Sequence, residues 1–309
     1  MRVECSFEWN DFSFGPGATF VKFYNKIKEL RPDIEFIYAD SVKLREMENG
    51  ITYFGHACRY GPFYMMIRNI ENNKYILVSY WDAIKDIFEF RDCGFSLSLI
   101  ADIITSSGII QNDIEYKPLP YLKYTPFGYT PLSPENEKFI EELYAQNLPK
   151  TIPDKPRFRN FPNDFFRQFL HTDDRFDCID RREFNILKDE YMAELNEHKI
   201  NLSVNGHGEV CNRDMEIMGL GNVLLRTKFV AQFHEPLIPD YHYIAIEFDD
   251  YKDHKLLADK LIDKYNEIKD KPDFLDFVGK NAREWYLRNG CSEGNANILT
   301  KVVDFNKLK

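Results

Sequence analysis

The chain has no hydrophobic run long enough to cross a membrane. About 18 consecutive apolar residues would be needed, and none of its 309 residues starts such a stretch. No apolar signal-peptide core precedes the first predicted strand at Arg2 to Glu8, so a soluble, cytoplasmic protein is expected. An excess of positive charge is also missing. Lys and Arg number 40 against 50 Asp and Glu, a net charge of −10. A nucleic-acid surface needs a basic stripe, so nucleic acid is not an expected partner. The six cysteines (5, 58, 93, 178, 211 and 291) are scattered and form no Cys-x-x-Cys pair. This excludes a spaced zinc site and a disulfide framework and points to a reducing compartment. There is no internal repeat and no low-complexity segment.

Apolar residues make up 44% of the chain, with 26 Phe and 18 Tyr, enough for two domains of ordinary size. Strands and helices alternate, which predicts α/β domains with parallel sheets. Pro149-Lys-Thr-Ile-Pro-Asp-Lys-Pro156 reads as a linker, giving domains 1–150 and 151–309.

The most informative stretch is Lys199 to Arg226. Ile200, Leu202 and Val204 alternate as a strand does. Gly206, His207 and Gly208 break the pattern and allow a ligand to approach the backbone closely. A short helix over Arg213 to Met218 ends at Gly219-Leu220-Gly221, and Asn222 to Leu225 forms the next strand. A helix N-terminus behind a Gly-rich loop suits phosphate, and Arg213 adds a guanidinium fork. Glu216, three residues on, shares its face and suits two sugar hydroxyls. Both are expected near the surface of a turn. The alternative is an ordinary α/β turn with a surface Arg and Glu.

Other candidates lie where Rossmann-like sheets bind ligands, at the carboxyl ends of strands. Asp11 sits in the loop before Gly15-Pro16-Gly17, which also reads as a mere turn. Asp82 follows the apolar run Lys74 to Tyr80 and equally suits a helix N-cap. His56 lies between Gly55 and Gly61, where a structural histidine is the bland reading. Arg157 and Arg159 share one face of a strand, as neutralisers of a diphosphate or as a solvated edge.

Glu216-x-Met218-x-x-Gly221-x-Val223 resembles the E-x-M-x-x-G-x-P/V-V signature of glycosyltransferases built from two Rossmann-like domains facing across a cleft (GT-B). Together with Arg213, Glu235-Pro-Leu-Ile-Pro, His242-Tyr243-Ile244 and Asn281-Ala-Arg-Glu-Trp-Tyr286, it is similar to the protein O-glucosyltransferase and capsule-associated xylosyltransferase family. The resemblance covers roughly 110 C-terminal residues. In that family a Ser/Gly pair usually precedes the helix Arg, where this chain has Cys211-Asn212. Glu209 also stands one position closer to Glu216 than the two-carboxylate pattern places it.

The resemblance implies a nucleotide diphosphate sugar as donor, a glycan or glycoprotein acceptor and no resident cofactor. It makes Arg213 the diphosphate contact and Glu216 the ribose contact, and puts an Asp base after a strand, for which Asp82 is the candidate. No Asp-x-Asp stands where a metal-dependent glycosyltransferase needs one, so no metal is expected. An inverting reaction would take its base from Asp82, Asp11 or His56. The last helix would cross back to the first domain. The alternatives kept open are a nucleotide-sugar-binding protein without turnover, or an epimerase or phosphorylase of the same fold.

Overall fold

The computed structural model describes residues 1–7, 15–39, 64–72, 74–79, 100–105, 124–126, 132–160, 170, 172–180, 188–204, 210–229, 233–248 and 253–309. The chain forms two compact units. The first comprises Met1–Pro134, Val230–Pro236 and Arg288–Lys309, and the second Glu135–Phe229 and Leu237–Leu287. The Pro-rich segment 149–156 runs inside the second unit, where Thr151 N donates to Glu197 O at 2.8 Å and Lys199 N to Thr151 O at 2.8 Å.

The first unit holds a sheet of β1 (Arg2–Ser6), β2 (Glu35–Ala39), β3 (Tyr64–Asn69), β4 (Tyr75–Ser79), β5 (Ile100–Thr105) and β6 (Tyr124–Pro126), in the order β2-β1-β3-β4-β5-β6. Helix α1 (Gly15–Leu30) carries Pro16 in its first turn, where a missing N–H costs nothing. It links β1 to β2, which run parallel. The helix buries Phe20, Phe23, Tyr24 and Ile27 against Val3 and Cys5 of β1 and Leu299 of the late helix α7 (Ser292–Val302). Burial, and then the charge of Glu4, pushes the Cys5 thiol up, leaving it a core methyl-like group rather than a nucleophile.

The sheet is not all parallel, contrary to the strand–helix expectation. β3 runs antiparallel to both β1 and β4. A parallel return needs a crossover of about a dozen residues, and Ile70 to Lys74 is too short for one. The segment makes a hairpin instead, with Glu71 N donating to Asn69 Oδ1 at 2.9 Å and Lys74 N to Asn72 Oδ1 at 3.0 Å.

The second unit opens with α2 (Pro134–Ala145), whose first residue closes the preceding unit. Next come β7 (Arg157–Asn160), β8 (Asp177–Asp180), α3 (Lys188–Glu197), β9 (Ile200–Leu202) and α4 (Asn212–Gly219). They are followed by β10 (Val223–Thr227), β11 (Ile244–Ile246), α5 (His254–Ile268) and α6 (Pro272–Trp285). β9, β10 and β11 are parallel in the order β11-β10-β9, and β7 pairs β8 in parallel. Leu202, Val223, Leu225 and Ile244 meet Leu257, Leu261, Tyr265, Leu275 and Val278 in one core. The burial is continuous along β9 and β10, as expected of parallel strands covered on both faces. A π-turn (Tyr286–Gly290) leads from α6 to α7.

Candidate functional site

The β9–α4–β10 unit forms as its sequence predicts, with α4 one residue longer at each end. Cys211 is its N-cap, extended at φ −105° and ψ 153°. Cys211 N donates to Asp214 Oδ2 at 2.8 Å, and Asp214 N donates to Cys211 O at 3.0 Å. At the other end Gly221 N donates to Met218 O at 3.0 Å, and Gly221 has φ +68°. That left-handed turn requires a residue without Cβ, and an added Cβ would come within 2.9 Å of the Tyr144 ring. The glycine of the E-x-M-x-x-G signature is therefore a helix terminator in this chain. Arg283 Nη1 donates to Gly219 O, placing a cation at the negative end of the helix dipole.

The helix is not on the surface of a turn, as expected from its polarity, but buried from Asp214 to Gly219. Met215, Ile217 and Met218 fill the core, so the charged residues between them need partners. Asp214 pairs with the buried Arg226. Glu216, 6% exposed, accepts from the Tyr191 hydroxyl at 3.0 Å. Arg213 stands beside Tyr191, and its guanidinium lies 5.1 Å from the centre of the Phe158 ring. Burial works against the charge on Arg213, but Tyr191, Cys211 and Glu216 outweigh it and raise its pKa. Burial, reinforced by Glu216, pushes the Tyr191 phenol well up, so at neutral pH it remains an O–H donor.

Arg213 lines a small hollow with Arg157, Glu194, Leu195, Asn201 and Leu202. Arg157 reaches it from β7, ion-paired with Glu194, 3.8 Å from Asp177 and 2.6 Å from His198 Nε2. The buried Nε and Nη1 of Arg213 and the Nε of Arg157 have no hydrogen-bond partner among the described residues. Two guanidinium groups thus converge here, one of them already neutralised by a carboxylate.

Gly206, His207, Gly208, Asp11, Asp82 and His56 lie outside the described residues. For Arg159 the structure gives the backbone position on β7, paired in register with Ile179 of β8. The Glu235–Ile244 stretch divides between the units. In the first unit Glu235 Oε2 accepts from Arg288 Nε at 2.8 Å and Asn289 Nδ2 at 3.1 Å, both from the π-turn. Burial opposes its ionisation, but these bonds outweigh it and lower its pKa. In the second unit Ile238 N donates to His242 Nδ1 at 3.0 Å, and Phe229 N to the Tyr243 hydroxyl at 3.1 Å. His242 and Tyr243 therefore knit the chain between β10 and β11.

Tyr191, Asp214 and Arg226 are site residues that the sequence reading did not single out. Tyr191 stood at a helical core spacing with Leu187 and Leu195, where a hydroxyl is not distinguishable from an apolar ring. Arg226 follows the apolar Val223-Leu224-Leu225 and precedes Thr227-Lys228, which reads as the polar end of a strand and gives no sign of burial. Among the described residues no group of three or more His, Cys, Asp or Glu is placed to hold a metal ion, and no helix is long and apolar enough to cross a membrane.

No family model and no curated protein matches the chain. Solved structures do. Anabaena HepE in complex with UDP and glucose is similar over 97% of this chain and 98% of that one, at 9% identity and a TM-score of 0.44. A glycosyltransferase from Rickettsia africae is similar over 96% of both chains, at 10% identity and a TM-score of 0.42. Sucrose-phosphate synthase from Thermosynechococcus elongatus is similar over 92% of this chain and 71% of that one, at 13% identity and a TM-score of 0.43. These are distant likenesses in the path of the chain, and the activity of none of them passes to it.

Proposed function

We propose that the chain is a GT-B glycosyltransferase that moves a sugar from a nucleotide diphosphate sugar to a hydroxyl of a glycan or protein. The observation that carries this reading is the grouping of Arg213, Glu216 and Tyr191 on and beside α4 in a parallel β9–α4–β10 unit, with Gly206, His207 and Gly208 preceding the helix in sequence. The guanidinium has buried N–H groups without acceptors among the described residues, as a diphosphate site requires. The carboxylate stands three residues, about one turn, along the same helix. The sequence signature built on Glu216, Met218 and Gly221 supports the same assignment.

In this reading the C-terminal half, residues 151–309, binds the donor, and the N-terminal half, residues 1–150, binds the acceptor. Charge on the departing diphosphate is compensated by Arg213 and by N–H groups of the 205–213 segment, with no metal ion. Asp214 does not oppose this, because Arg226 neutralises its charge. The reaction is inverting, with Asp82, Asp11 or His56 taking the acceptor's proton. Cys5, Cys211 and Cys291 are free thiols, which fits a cytoplasmic protein.

The test is a panel of uridine, guanosine and thymidine diphosphate sugars, read first by thermal shift and then by transfer of labelled sugar. A ligand at a hundred times its Kd adds about 2.7 kcal/mol of stability. One sugar nucleotide should raise the melting temperature and be turned over. A panel with no shift and no transfer would refute the assignment.

A further inference from the structure

We infer that Tyr191 is a positioning residue that makes the site discriminate a ribonucleotide from a deoxyribonucleotide. This rests on the donor-site reading above. The phenol comes from α3, while both charged groups it touches come from α4. Its hydroxyl donates to Glu216 Oε2 at 3.0 Å, with the charge of Arg213 beside it.

Glu216 has rotatable bonds between its backbone and its carboxylate, and the 3.0 Å hydrogen bond from the buried Tyr191 ring helps to set the plane of the carboxylate. Acceptance of ribose hydroxyls depends on that plane, because such bonds weaken steeply with misalignment. Without the hydroxyl, Glu216 keeps its charge but loses this orienting contact, while Arg213 keeps its place 5.1 Å from the centre of the Phe158 ring.

The experiment is calorimetric titration of the full chain with uridine and guanosine diphosphates and with their 2′-deoxy and 3′-deoxy forms. Wild type, Tyr191→Phe and Glu216→Gln are compared, and thermal melts are recorded for each. Wild type should bind one ribonucleotide about tenfold or more tightly than its deoxy forms, the size expected for a hydrogen bond to a charged group. Tyr191→Phe should bring that ratio close to one by weakening the ribonucleotide alone, with the deoxy forms bound as before. Glu216→Gln should move the ratio in the same direction.

A purely structural phenol would lower affinity for all forms equally or change none. Tyr191→Phe with the wild-type ratio overturns the inference. So does a Tyr191→Phe chain that does not fold, since the hydroxyl is then needed for the fold itself. Wild type that binds neither diphosphate, or binds without regard to the ribose hydroxyls, overturns the donor-site reading instead.

Discussion

Asp214 and Arg226 form an ion pair in which neither side chain is exposed to solvent. One carboxylate oxygen of Asp214 receives both the guanidinium and Cys211 N. Arg226 also donates from Nε to Thr227 O at 3.0 Å and stacks 3.7 Å from the centre of the Phe229 ring. The pair ties the first turn of α4 to the end of β10. It also cancels a negative charge that would otherwise sit among the N–H groups proposed to meet a diphosphate.

Breaking this pair should be costly. Asp214→Ala leaves a guanidinium buried without its counter-charge, a change that costs about 3 to 5 kcal/mol. Chemical denaturation should show a loss of that order. A change below about 0.5 kcal/mol, typical of surface substitutions, would mean that Arg226 reaches solvent.

The turn after α4 should tolerate no side chain. Gly221→Ala meets both a left-handed backbone and the Tyr144 ring, and Gly279→Ala places its Cβ on the Gly221 carbonyl oxygen. Backbone strain of this kind costs about 1 to 3 kcal/mol at a position. Both variants should melt earlier than wild type, and Gly279→Ala, blocked by backbone rather than by a side chain, should be the worse. Melting temperatures equal to wild type would contradict the packing of α6 against this turn.

Lys150 should make stability depend on pH. Its ammonium donates to Leu220 O at 2.6 Å and to Asn222 Oδ1. Burial, then the charges of Lys199 and Arg283, lowers its pKa from the ordinary 10.5 to about 7. Between those values the unfolded chain holds the proton and the folded chain does not. The unfolded state therefore binds more protons, and this residue's contribution to stability rises with pH through that window. Denaturation at pH 7 and pH 9 should show a rise in wild type that is smaller in Lys150→Met. An equal rise in both would place the titration elsewhere.

Much of the second unit was readable because its signals are local. Ile200, Leu202 and Val204 mark β9, and Arg213 to Met218 mark α4, without reference to the rest of the chain. Asp253 sits at the start of α5, where its side chain accepts from Leu256 N. What escaped depends on contacts distant in sequence. The burial of Glu216 follows from α3 delivering Tyr191, and the burial of Asp214 from β10 delivering Arg226. The direction of β3 was within reach, since Ile70 to Lys74 is too short to cross over, but alternation elsewhere outweighed it.

Nucleoside diphosphate binding should survive removal of divalent ions. The expectation comes from the lack of Asp-x-Asp where a metal-dependent enzyme needs it and from two guanidinium groups facing one hollow. Calorimetry before and after EDTA treatment should give the same Kd. Binding that disappears with EDTA and returns with magnesium would contradict it.

The most direct test compares wild type with Arg213→Ala in calorimetric titration against the nucleoside diphosphate and the matching nucleoside. Loss of a charge-assisted contact costs about 1.5 to 3 kcal/mol, or roughly ten- to a hundredfold in Kd. The account predicts a loss of that size for the diphosphate and none for the nucleoside. Equal diphosphate affinity in the two folded proteins would place the donor phosphates away from α4 and contradict the central assignment.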